Sequence, residues 1–147
     1  MRLSPEELSE NAIVELFPQV KYLYLDAQFK ELIDLCVGTL SAVELSLITR
    51  QWLYHIVAEA LYGLDDFDNA EMYLTESQKI NDNLNHRLGL ARNYVIFGHL
   101  WNVYYGDFTR AISYYGDARA IYFGEGLQSE VERLDKLIGG LQEQDSQ

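Results

Sequence analysis

Residues 63–74 read GLDDFDNAEMYL, and residues 104–115 read YYGDFTRAISYY. Phe67 and Phe108, Ala70 and Ala111, Tyr73 and Tyr114, and further on Ile80 and Ile121, stand at one constant offset of 41 residues. Each copy opens on an acidic turn and continues with apolar residues three and four apart, the spacing that places side chains on one face of a helix. A period between 20 and 50 residues is the mark of stacked supersecondary units, in which each unit buries an apolar face against the next. The repeat therefore decides the fold class: all-α, built from helical hairpins.

Outward from the two copies, the rest of the chain reads as helices. Ser4, Pro5, Glu6 and Glu7 form a helix start signal, followed by an apolar stripe through Ile13, Leu16, Val20 and Leu23. Pro18 lies inside this stretch and predicts a kink or a division. Leu32, Ile33, Leu35, Cys36 and Leu40 follow at helical period. Ser41 with Glu44 makes a capping box for a helix over roughly 42–62. The helix begun at Asp65-Asp66-Phe67-Asp68 should end at the turn-forming NDNLN of residues 81–85. Helices over 86–104, 108–123 and 127–138 complete the reading, the last stopped by Gly139 and Gly140. No stretch alternates as a strand would.

Composition narrows the function classes. The chain has 147 residues, 48% of them apolar and 23% charged, which is enough for one globular domain. Twenty-three acids stand against 11 bases, a net charge of −12, and no basic cluster exists to hold phosphates. Nucleic acid and anionic membrane are thereby disfavoured as partners. Cys36 is the single cysteine, so no internal disulfide forms. The start lacks the apolar run of a signal peptide, and the longest uncharged run, 93–106, is too short to span a bilayer. The expected location is the cytoplasm.

The residues also resemble a named family, the tetratricopeptide repeat, whose first helix carries W-x2-L-G-x2-Y and whose second carries A-x3-F. Tyr94, Phe97, Gly98 and Trp101 fill the first motif here, and Ala111 and Tyr115 the second. One unit earlier, Tyr54, Val57, Ala58 and Leu61 precede Ala70 and Leu74. In the first unit Leu16, Val20 and Leu23 precede Leu32 and Cys36, with Pro18 and Gln19 departing from the pattern. The period of 38 to 41 exceeds the family's 34, and the family's Pro after the second helix is missing. The resemblance, which covers about 13–123, implies a tetratricopeptide-like solenoid of three hairpins, over 5–40, 42–80 and 86–123. A capping helix over 127–138 would close a single domain of residues 1–142, with 143–147 a frayed tail.

Candidate chemistry is sparse. His55 and Glu59 share a helix face but have no further ligands at metal spacing. Cys36 falls on an apolar stripe without a basic neighbour. No phosphate loop, nucleophile elbow or paired-cysteine motif is present. The sequence predicts no catalysis, no cofactor and no metal. What remains is surface, and the resemblance implies a concave groove lined by the first helix of each pair. Carried over by position, that groove comprises Trp52, His55, Glu59 and Tyr62, then Arg92, Val95, His99 and Asn102, with Phe17, Lys21 and Tyr24 as first-unit counterparts. The implied function is a non-catalytic scaffold that binds another protein or a peptide. A regulatory or sensory module of a larger signalling protein, and a structural homo-oligomer, stand as the alternative readings.

Overall fold

The computed structural model describes residues 18–42 and 44–145. They form helices joined by short turns: α1 over 18–25, α2 Phe29–Ala42, α3 Leu47–Gly63, α4 Phe67–Leu84, α5 Arg87–Val103, α6 Phe108–Gly124 and α7 Gln128–Asp145. No strand occurs among the described residues, and the fold is all-α. None of these helices is long and apolar enough to cross a membrane. The predicted helix start at Ser4 and Pro5 and the apolar positions Ile13 and Leu16 lie outside the described residues.

One local device closes most of the turns. Ala27, Asp65, Asn85, Gly106 and Gly126 each take a left-handed conformation, with φ between 51° and 75°. Such a residue just past a helix reverses the chain and lets a later N–H reach back to an orphan carbonyl. The amides of Gln28, Asp66, His86 and Leu127 accordingly bond the carbonyls of Leu23, Leu61, Asn81 and Tyr122, five residues earlier, at 2.9–3.0 Å. Three helix starts are then capped by side chains: Ser46 accepts from the Thr49 amide, His86 from Gly89 and Asp107 from Arg110.

The repeat is visible in what is buried. In α3 the buried residues include Thr49, Gln51, Leu53, His55, Ile56, Ala58 and Ala60; in α5 they are Gly89, Ala91, Asn93, Val95, Ile96, Gly98 and Leu100, each 40 residues on. Ala70, Leu74, Ser77 and Asn81 of α4 recur as Ala111, Tyr115, Ala118 and Tyr122 of α6, each 41 on. Leu32 and Cys36 of α2 stand 38 residues before Ala70 and Leu74, and are buried as the repeat predicts. Identity changes between the copies while burial does not, because the neighbouring helix fixes which side of each helix is covered.

The chain sorts into two compact units, Met1–Ile80 and Asn81–Gln147. In the first, Val20, Leu32, Cys36, Leu53, Val57 and Ala70 lead the core, with Leu23, Phe29, Trp52 and Tyr62 packed around it. Tyr54 meets Tyr73 at 6.1 Å between ring centres, and the buried Ser77 hydroxyl donates to the Gln51 carbonyl at 2.7 Å. In the second, α5 and α6 pair closely, and Tyr94 meets Tyr114 at 6.0 Å, the same pair one repeat later. Phe97 stacks on Tyr114, while Gly98 lies against the ring of the fully buried Tyr115. A Cβ on Gly98 would stand 2.6 Å from Tyr115 Cδ1, so only glycine permits this approach. Val131, Leu134 and Leu141 of α7 complete that core.

Three boundaries differ from the sequence reading. α3 begins at Leu47 behind Ser46, not behind Ser41. Ser41 belongs to α2, where its hydroxyl donates back to the Val37 carbonyl at 3.0 Å, so it is engaged inside that helix and does not cap the next one. α4 runs through the NDNLN segment to Leu84 and turns only at Asn85. α7 passes through Gly139 and Gly140 and continues to Asp145. Two helical glycines cost about 1 kcal/mol each, and the burial of Leu141 beyond them opposes that loss.

Candidate functional site

Trp52, His55, Glu59 and Tyr62 follow one another at spacings of three and four, so α3 carries them as a single stripe. The structure splits that stripe by depth. His55 is 4% exposed, and its Nε2 meets Glu59 Oε1 at 3.0 Å. Its imidazole is thus occupied within the fold and lies behind the other three. Trp52, Glu59 and Tyr62 are half-buried at the edge of the first unit's core. Tyr62 packs edge-on to Phe67 at 5.6 Å, and burial, helped by the Asp65 carboxylate, raises its phenol pKa. Lys21 and Tyr24 are exposed on α1, and Phe17 lies outside the described residues.

α5 repeats the arrangement in the second unit. Arg92, His99 and Asn102 are half-buried, and Val95, in the register of His55, is buried. His99 Nδ1 shares a hydrogen bond with the hydroxyl of Tyr115, so this histidine, expected to line the groove, also ties α5 to α6. Arg92 reaches the neighbourhood of His86, whose pKa is lowered first by burial and then by that guanidinium. The accessible part of each stripe is therefore three residues: Trp52, Glu59 and Tyr62 on α3, and Arg92, His99 and Asn102 on α5.

An indole, a phenol, a guanidinium and an amide supply large rigid contact area and directed hydrogen bonds. The thiol of Cys36 is wholly buried, and that burial pushes its pKa up to about 12, so no thiolate nucleophile is available there. Among the described residues no three or more His, Cys, Asp or Glu side chains gather to hold a metal ion.

Sequence reasoning missed two features. Arg110 lies over the Trp101 ring at 4.5 Å, and Tyr105 packs on the same indole at 4.3 Å. The first unit also holds an open cleft of about 480 Å³ between α2, α3 and α4, with Arg50 and Tyr54 on α3 among its lining residues. The sole available signal was that Arg50 is the single base between Lys30 and Lys79, one helical turn before a tyrosine. Compared with family models, curated proteins and solved structures, the chain finds no significant match.

Proposed function

We propose that this chain is a non-catalytic helical-repeat module, similar to tetratricopeptide domains, that binds another protein or a peptide. The observation that carries the reading is register. Positions 52, 59 and 62 of α3 and positions 92, 99 and 102 of α5 stand 40 residues apart pairwise, and all six are half-buried. Within each stripe the remaining position, His55 or Val95, is buried. A repeat that keeps the same three positions open on each first helix, and fills them with Trp, Glu, Tyr, Arg, His and Asn, is suited to gripping a partner segment. Purely structural faces would spend fewer such side chains on half-open positions. A cytoplasmic setting accords with the single buried cysteine and the acidic surface.

Peptides selected from a random display library against the folded chain test this reading. Trp52→Ala should weaken peptides held by the α3 stripe, and Arg92→Ala those held by the α5 stripe, by about tenfold or more, since truncating a Trp or Arg anchor typically costs about 2 kcal/mol. Helical circular dichroism must stay unchanged in both variants. Normal binding by both would refute the stripes as the contact surface. Light scattering over a range of concentrations separates this reading from self-association.

A further inference from the structure

The cleft of the first unit is lined on α2 by Val37, Leu40 and Ser41, on α3 by Arg50 and Tyr54, and on α4 by Met72, Tyr73 and Glu76. Arg50 is half-buried in it, and its Nη1 reaches the Tyr54 hydroxyl at 3.5 Å, the limit of a hydrogen bond. Among the described residues it makes no ion pair. Among the described residues, a half-buried guanidinium that no carboxylate pairs is conspicuous. Glu76 does not fill that role, because its carboxylate pairs with Lys79 at 3.1 Å.

We infer that this cleft takes an acidic side chain flanked by aliphatic residues, presented by a segment of a partner protein, with Arg50 as the carboxylate anchor. The planar guanidinium fork matches a carboxylate in two parallel hydrogen bonds. Arg50 is the one cationic side chain among the lining residues, which suits a monoanion; a doubly charged phosphate would meet too little positive charge there. Val37, Leu40 and Met72 supply apolar surface for the residues on either side of the acid. The space is of the order that holds a few side chains, and it is open to solvent rather than enclosed. This site goes beyond the stripe reading. Arg50 and Tyr54 are one turn apart, whereas Trp52, two residues from each, points about 200° round the helix. α3 thus offers two separate faces.

The test is a titration followed by 1H–15N NMR, using the capped pentapeptide acetyl-Ala-Leu-Glu-Leu-Ala-amide and its Gln counterpart. The Glu peptide should move the Arg50 Nε–H signal and the amides of Tyr54, Met72 and Tyr73 in a saturable way. The Gln peptide, and Arg50→Gln tested with the Glu peptide, should bind about tenfold more weakly or worse, as expected when a charged pair is removed. Trp52→Ala should leave the titration unchanged, which keeps this outcome independent of the stripe reading. Should Arg50→Gln lose its helical spectrum, Arg50→Lys keeps the charge but not the fork, and a clear loss of affinity there supports the same anchor. Absence of saturable shifts at millimolar peptide overturns the proposal. So does acetate competing as well as the peptide, which would mean a free small carboxylate. Concentration-dependent shifts of the same signals without any peptide would assign the cleft to a second copy, and overturn it too.

Discussion

Gly98→Ala separates close helix packing from intrinsic helix preference, because the two effects have opposite signs. In isolation the change favours the helix, by about 1 kcal/mol. Here the new methyl would stand 2.6 Å from Tyr115 Cδ1, and in firmer contact with Cε1. Carbon atoms in ordinary contact sit about 3.5–4.0 Å apart, so something must retreat by roughly 1 Å. The Tyr115 ring is poorly placed to do so: it is 1% exposed, and its hydroxyl is bonded to His99. Overpacking of this kind costs about 1–3 kcal/mol, and a disturbed Tyr–His bond adds about 0.5–1.5 kcal/mol. After the helix-preference gain, a net loss of about 1–3 kcal/mol remains, read as a fall in Tm of roughly 3–10 °C. Gly116→Ala is the matched control. It lies in α6 with nothing within 4 Å of the added carbon, and should raise stability by about 0.5–1 kcal/mol. Thermal unfolding followed by circular dichroism compares the pair. If Gly98→Ala stabilises as Gly116→Ala does, then α5 and α6 do not close on each other at that glycine.

Ala27→Gly should stabilise by about 0.5–1 kcal/mol in urea unfolding, because φ at Ala27 is 54° and a Cβ there is strained. Cys36 should resist iodoacetamide in the folded chain, even at mildly alkaline pH, and react promptly once urea unfolds it; mass spectrometry reads the adduct. His86 has a folded pKa below its unfolded 6.5, so its contribution to stability is complete above about pH 6.5 and is lost as pH falls toward and through the lowered value. Burial is the larger cause, and the Gly89 N–H···Nδ1 bond at 3.1 Å adds a cap that a proton on Nδ1 would abolish. His86→Asn keeps a capping side chain without the titration, and should show a smaller difference in Tm between pH 7 and pH 5 than the parent chain.

The helical class and the apolar stripes were legible because they depend on spacing. Ala70 and Ala111, Leu74 and Tyr115, and even Leu32 and Cys36 in the divergent first unit are buried as their offsets require. Cap positions were less legible, since Ser41 and Ser46 are both plausible caps by type. Leu45 is buried just ahead of Ser46, while Ser41 already has a partner inside α2, and neither fact is local to the capping box. The end of α7 was misread for a similar reason: two glycines argue for a stop, and the value of burying Leu141 depends on helices elsewhere in the chain. The candidate stripe was legible as a stripe, but not by depth. Period places His55 beside Trp52 and Tyr62, yet only the packing of neighbouring helices puts His55 out of solvent. The Arg50 cleft needs three helices from residues 37 to 76 brought together, which no single window contains.

The two compact units each carry one tryptophan, Trp52 packed against the first core and Trp101 against the second. The chain is therefore equipped with a separate fluorescent reporter for each core, already at useful positions. Trp101→Phe leaves an emission spectrum that belongs to α3 and its surroundings alone, and Trp52→Phe leaves one that belongs to α5 alone. The environments differ as well, since Trp101 lies under the Arg110 guanidinium and against Tyr105. Denaturation of the two single-tryptophan chains, overlaid on the loss of helical signal, measures directly whether the two cores melt as one cooperative body or in sequence.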